Sequence, residues 1–396
     1  MSDPGRSEPR LNPRLRDLPP SGTMAVGAEI RRRRARGIDV INLGGGLAEP
    51  GPACLLAPFA FDPRRNAGGD PAGELDLRKA LAEKLKRDQK LDFDPAGEIV
   101  ITTGAKQAIL PTLLAMLEAG DEVLLLDPSW VSYAPAIQLA GGVPKPVSLL
   151  HANGFQLDSS AIEAQITPRS RAIIINNPHN PTGRVFTADE LAAVAAIAIA
   201  RNLWVISDES FDKFVFDGRR HASIAALDHM RARTVVVQSF SKAFALPGAR
   251  VGYLAGPTGL CESVVRFNEH VITCASPLMQ WLALSVLADE TAWTARLLDR
   301  YYEKRQAAHE ALRTMAGLRF TPTEGTFYAF ADIRAHSTSS AEFAARLLDK
   351  ARVAVTPGIA FGSTAESFVR INLVGPLDDI REGMRRMRIA LDQGLA

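Results

Sequence analysis

The stretch RAIIINNPHNPTGRVFTADELAAVAAIAIARNLWVISDES, residues 171–210, decides the architecture. RAIIIN (171–176) and LWVISD (203–208) are short, continuous apolar runs, as strands covered on both faces are. A helical pattern fills 187–201 between them. Strand, helix, strand in that order is a parallel crossover unit. Outward from it, the same alternation predicts strands at EIVITT (98–103), EVLLLD (122–127), TVVVQS (234–239) and RVGYLAG (250–256), with helices over 105–118 and 131–140. That is an α/β fold around a mostly parallel sheet. After residue 285 the pattern changes to a long charged helix, ARLLDRYYEKRQAAHEALRTM, then FYAFADI, a helix over 341–351, VAVTPG, FVRINL and a terminal helix, which reads as a second, α+β layer.

A chain of 396 residues has room for two or three domains and a cleft. Its 46% hydrophobic and 23% charged content excludes a disordered or collagen-like chain. The net charge of +2 gives no global field to draw nucleic acid or an anionic membrane. RRRRAR (31–36) reads as the solvated face and end of the helix begun by GAEI, not as a nucleic-acid patch. The most apolar window, LAAVAAIAIA (191–200), falls well short of the roughly 20 residues a membrane helix needs. Cys54, Cys261 and Cys274 are an odd, widely spaced set, which points to a reducing cytoplasm, and the N-terminus has no signal or transit pattern.

Four stretches carry chemistry. In SFSKAFALPGARVGY (239–253), Lys242 follows a predicted strand and a turn with hydroxyls on both sides. A lysine there can form a Schiff base if its pKa is lowered, and Arg250 can clamp a phosphate. NNPHNPTG (176–183) is a proline-stiffened loop that presents Asn180 to a ligand, or simply a turn before the helix near Thr187. WVISDES ends a strand with Asp208 and Glu209 at the carboxyl edge of the sheet, where such folds bind ligands. A buried Asp208 needs several donors or a cation, such as a protonated ring nitrogen. TTGAKQAIL (102–110) is a strand, a glycine turn and a helix start, the geometry that cradles phosphate. GGG (44–46) lacks the GxGxxG spacing of a dinucleotide site.

In this order TTGAKQA, DPSWVSY, NNPHNPTG, SDES, SFSK, ARVGY and FVRINL resemble the fold-type I, class I aminotransferases, in particular the subgroup holding many bacterial aspartate and aromatic aminotransferases. The similarity runs from about Leu11 to the C-terminus. The resemblance implies a large domain over 46–284 with a mostly parallel seven-stranded sheet, a smaller α+β domain from 1–45 and 285–396, a homodimer, and pyridoxal 5'-phosphate as cofactor. It implies that Lys242 is the Schiff-base lysine and the base that moves a proton between the substrate Cα and the cofactor. By the same resemblance Asp208 keeps the pyridine nitrogen protonated, Asn180 donates to the ring oxygen and Trp130 stacks on the ring. Gly104, Ala105 and Lys106 through backbone N–H groups, and Ser239, Ser241 and Arg250 through side chains, form the phosphate cup. Arg370 grips the substrate carboxylate as a bidentate fork, and Gly46 is a close-approach glycine beside the substrate. The implied reaction is ping-pong transfer of an amino group from an L-amino acid to a 2-oxo acid, with no metal, nucleic acid or membrane involved.

Three features depart from the family pattern. Phe211 stands where a tyrosine hydroxyl normally donates to the ring oxygen, a loss that raises the pKa of the lysine–cofactor imine. Gly68 stands where a tyrosine normally reaches into the neighbouring subunit, and the segment after GGGLAEP is short. These departures leave open another pyridoxal phosphate reaction on the same scaffold: elimination, replacement, decarboxylation, oxidation or carbon–carbon bond formation. Lys106 is either a reader of an acidic substrate side chain, as in some relatives, or a surface lysine at a helix start. A sensor domain of a transcription regulator is the reading of a different class. It is disfavoured because GGG begins at residue 44 and no helix-turn-helix pattern precedes it.

Overall fold

The computed structural model describes residues 11–45, 68–288 and 290–394. Its strands are β1 (Ile41–Asn42), β2 (Ile99–Thr102), β3 (Glu122–Asp127), β4 (Val143–Ser148), β5 (Ser170–Asn176), β6 (Trp204–Asp208), β7 (Thr234–Ser239) and β8 (Gly252–Ala255). The C-terminal part adds β9 (Arg319–Phe320), β10 (Tyr328–Asp332), β11 (Val353–Ala354), β12 (Thr356–Pro357) and β13 (Phe368–Asn372).

Seven strands form one sheet in the order β2-β8-β7-β6-β5-β3-β4. The pairs from β4 across to β7 are parallel, and β8 alone runs antiparallel to both neighbours. Both faces are covered, which is why these strands read as apolar runs without alternation. Ile173, Ile175 and Val205 face Leu191, Val194 and Ala198 of the helix Ala188–Ala200. Ile174, Ile206, Val235 and Val237 face Ala108, Ile109 and Leu113 of the helix Ala105–Met116 on the other side. The helix Ala188–Ala200 starts on a capping box, Thr187 Oγ1 accepting from Glu190 N and Glu190 Oε2 accepting from Thr187 N. Six of the seven strands match the apolar runs. The seventh, β4, is VPKPVS, whose two prolines argue against a strand and are tolerated because β4 is the sheet edge.

The C-terminal layer is a four-stranded antiparallel sheet, β12-β13-β10-β9, with β1 and β11 paired in parallel beside it. Ile41, Leu43, Val353, Val369 and Ile371 pack there against Phe343, Leu347 and Met384 from the helices Ser340–Lys350 and Leu377–Asp392. The helix Glu290–Arg313 serves both layers. Its first half gives Trp293, Leu297 and Tyr301 to a cluster with Phe211, Phe240 and Phe327, and its second half gives Ala308 and Leu312 to the C-terminal core. Arg33 is engaged by Glu29 at 2.8 Å and Asp349 at 2.6 Å, and Arg34 donates to Val40 O, so part of the basic run is engaged within the chain. Among the described residues no helix is long and apolar enough to cross a membrane.

Candidate functional site

Strand direction brings the chemistry to one edge of the sheet. β3, β5, β6 and β7 are parallel, so Trp130, Asn180, Asp208 and Lys242 all leave the same edge, beyond the carboxyl ends. β2 runs parallel to β7 and delivers Gly104 and Ala105 there. β8 runs the other way, which is why Arg250 reaches the same edge from just before its strand. All of these but Gly104 line one cavity together with Arg370 from β13, so its walls draw on both layers.

Asp208 closes β6 beside Asn176 in the register and is 5% exposed. Tyr133 donates its hydroxyl to Oδ2 at 2.7 Å and the Ser210 backbone N–H donates to Oδ1 at 3.0 Å. Burial raises the Asp208 pKa against these donors, and burial together with the Asp208 charge pushes Tyr133 well above its ordinary range. Asn176 Nδ2 donates to Asp208 O, and Asn176 Oδ1 accepts from Asn180 N at 2.8 Å, which ties the proline-rich loop to the carboxylate strand.

Lys242 lines the same cavity, its Nζ 5.2 Å from the ring centre of Phe327 and 5.6 Å from that of Phe211. Burial and the charge of Arg370 hold its pKa down to about 8, against the pull of Asp208. Arg370 is 1% exposed and sits 4.0 Å over Tyr328 and 4.6 Å over Phe361. Its Nη1 donates to Asn180 Oδ1 at 2.9 Å, while Nε and Nη2 are buried without a partner. Two aligned, desolvated donors of one guanidinium are the half of a bidentate pair that a carboxylate completes.

At the other end of the cavity Gly104 has φ +91° and caps the helix Ala105–Met116. Arg250 Nη2 donates to Thr103 O and Nη1 lies 3.5 Å from Ser241 Oγ, while the Ser241 N–H donates to Ser239 Oγ at 3.1 Å. A Cβ on Gly104 would come within 2.6 Å of Arg250 Nη2, so glycine is what lets the guanidinium close over the helix start. Trp130 meets Tyr133 edge-on at 5.2 Å, and Lys106 Nζ lies 5.1 Å over the Trp130 ring. Burial, then the charges of Arg250 and Lys242, lower the Lys106 pKa. Among the described residues that line the cavity, four basic side chains, Lys106, Lys242, Arg250 and Arg370, stand against one carboxylate, Asp208, a balance that favours an anionic ligand.

The structure therefore gathers Gly104, Ala105, Lys106, Trp130, Asn180, Asp208, Phe211, Ser239, Ser241, Lys242, Arg250 and Arg370. Gly46 lies outside the described residues, and Gly68 is exposed.

A class I and II aminotransferase family model matches residues 57–387. The chain belongs to this family. Aromatic-amino-acid aminotransferase 2 of Thermococcus litoralis is 40% identical over 81% of this chain and 83% of its own length. Aspartate aminotransferase of Pyrococcus abyssi is 39% identical over 89% and 92%. Among solved structures, the aspartate aminotransferase of Thermus thermophilus with maleate superposes with a TM-score of 0.92 at 32% identity, covering 97% of this chain and 100% of that one. This aminotransferase is accordingly a transferase enzyme with a fold-type I architecture, and the relatives' names side with amino-group transfer over the other chemistries that Phe211 and Gly68 leave open.

Sequence reasoning gave no role to Tyr133, Ser210, Tyr328, Thr23 or Met24, all of which line the cavity. Tyr133 carried a signal, as the tyrosine that closes the DPSWVSY stretch three residues beyond Trp130. Glu209 was visible beside Asp208 but points elsewhere. It is fully buried, accepting from Ser207 Oγ and Ser223 Oγ and pairing with His221 Nε2 at 3.1 Å.

Proposed function

We propose that this aminotransferase binds pyridoxal 5'-phosphate in the described cavity and transfers an amino group from an L-amino acid to a 2-oxo acid by a ping-pong course. The observation that carries the reading is the presence in one cavity of Lys242, Asp208 and the unpartnered Nε and Nη2 of Arg370. The residues fit the cofactor on two further counts. The buried Asp208 has two hydrogen-bond donors and room for the proton of a ring nitrogen, and the helix start at Gly104 with Arg250 and two serines is a phosphate cradle.

When bound, the cofactor supplies an electron sink for the charge left on the substrate Cα. Asp208, ionised with help from Tyr133, holds the ring-nitrogen proton in place. Asn180 has its Oδ1 occupied by Arg370, which turns its amide N–H toward the ring oxygen, and Trp130 covers one ring face. Gly104, Ala105 and Lys106 backbone N–H groups, with Ser239, Ser241 and Arg250, hold the phosphate. Arg370 holds the α-carboxylate with its two free donors, which orients the Cα–H toward Lys242. The Lys242 amine, its pKa lowered to about 8, would be the base that takes the proton from the substrate Cα. Lys106, in the cavity wall beside Trp130, reads an acidic substrate side chain, a role in keeping with the dicarboxylate held by the Thermus thermophilus relative.

Gly46 beside the substrate, a body over 46–284 set against one from 1–45 with 285–396, a homodimer and a cytoplasmic location belong to the same proposal. Cys261 and Cys274 support the location because both are free thiols. Borohydride reduction of the cofactor-loaded protein followed by peptide mapping tests the site. The pyridoxyl group is expected on the peptide containing Lys242; its attachment to another lysine, or to none, contradicts the assignment.

A further inference from the structure

The turn after β6 carries a hydroxyl that acts on Asp208 without a well-formed hydrogen bond. Ser210 is 8% exposed, lines the cavity beside Asp208, and its Oγ is buried without a hydrogen-bond partner, while its own backbone N–H donates to Asp208 Oδ1 at 3.0 Å. Folded chains seldom leave a buried hydroxyl unpaired, because its lost hydration is not returned. The next residue offers no hydroxyl at all. Phe211 is locked edge-on against Phe327 at 5.2 Å and Tyr328 at 5.8 Å, so the turn gives the site its hydroxyl at position 210.

Asp208 has room for it. An ionised carboxylate offers about four lone-pair sites, and two donors are in place, Tyr133 on Oδ2 and the Ser210 N–H on Oδ1. A ring-nitrogen proton takes a third. Burial works toward a neutral Asp208, and the groups that oppose it are the Ser210 and Tyr133 hydroxyls and the Ser210 N–H. A neutral carboxyl would no longer hold a positive ring nitrogen, so whatever keeps Asp208 charged also keeps the cofactor's electron sink in its working state.

We infer that Ser210 is a positioning residue acting through Asp208: its hydroxyl closes onto the carboxylate as a further donor when the site is filled and holds Asp208 in the ionised form that pairs with the ring nitrogen. This rests on the pyridoxal phosphate reading given above. The backbone N–H of the same residue already fixes the turn against Oδ1, which keeps the Ser210 side chain beside the carboxylate.

The test compares wild type, Ser210→Ala and Ser210→Thr, each loaded with pyridoxal phosphate. Cofactor dissociation constants are measured by equilibrium dialysis, and the pH at which the cofactor is released is followed by absorbance as the pH is lowered. Ser210→Ala is expected to bind the cofactor about tenfold more weakly and to release it at a pH about one unit higher. The sign follows because loss of a donor raises the Asp208 pKa, so the carboxylate is neutralised earlier on the way down. Ser210→Thr, which keeps the hydroxyl, is expected to follow wild type in both measurements. Should Ser210→Ala melt early without cofactor, Ser210→Thr is compared with Ser210→Val, alike in shape and different in the hydroxyl, with the same expectations. Unchanged retention and an unchanged release pH in the variant lacking the hydroxyl overturn the role of Ser210 and leave the cofactor reading standing. Failure of wild type to take up pyridoxal phosphate overturns both.

Discussion

On the proposed reading Lys242 must lose its proton to attack a carbonyl carbon, and its surroundings shift it in that direction. Burial and the Arg370 charge bring its pKa to about 8, so the unprotonated fraction is appreciable near neutral pH. The rate at which the cofactor-free protein captures pyridoxal phosphate is therefore expected to rise with pH through a midpoint near 8; stopped-flow absorbance across the pH range checks this, and a midpoint near the ordinary lysine value contradicts it. Lys106 makes a separate prediction. Removing its charge by Lys106→Met is expected to raise KM for L-aspartate about tenfold, the loss of one charge-assisted contact, while KM for L-phenylalanine stays unchanged; equal effects on both substrates would make it a scaffold residue. The gathering of Lys242, Asp208, Asn180 and Arg370 was legible because each sits in a short contiguous motif, the first three at or just beyond a strand end and Arg370 within β13. Tyr133 and Ser210 were not given roles because their importance lies in which Asp208 oxygen each one faces, and that is fixed by the packing of β3 against β6 through β5.

At the scale of elements, the antiparallel strand β8 shows how tightly the phosphate end is assembled. A Cβ on Gly252 would meet Ala105 N, Gln238 O and Gly104 C, each at 2.7 Å, all of them backbone that cannot swing aside. Gly252→Ala is expected to destabilise the fold by about 1–3 kcal/mol, as overpacking does, and to weaken cofactor retention by displacing the helix start; thermal melting of the cofactor-free protein and equilibrium dialysis with the cofactor check the two effects. Most elements were readable because burial on both faces writes an unbroken apolar run. β4 was not, because its prolines at 144 and 146 are acceptable only on a sheet edge, and edge position is a property of the strand order and not of the six residues themselves. The helix Glu290–Arg313 was readable as a helix, but its service to two cores was not.

At the scale of the whole molecule, the cavity takes residues from the parallel sheet and from β13, so Arg370 and Lys242 share it because the two layers are packed together. The long helix that feeds Tyr301 into the aromatic cluster under Phe211 and Leu312 into the C-terminal core fixes that packing. On the proposed reading the cavity's cations meet a substrate carboxylate at Arg370 and a phosphate at Arg250, with Asp208 left for the ring nitrogen. Amino-group transfer through this arrangement is tested most directly by titrating the cofactor-loaded enzyme with L-aspartate or L-phenylalanine and recording its visible absorbance. The account predicts that an amino acid bleaches the visible band as the cofactor passes to its amine form, with one equivalent of 2-oxo acid released per site, and that a 2-oxo acid restores the band. Product formed without the amine form of the cofactor, or a band that a 2-oxo acid fails to restore, would contradict it.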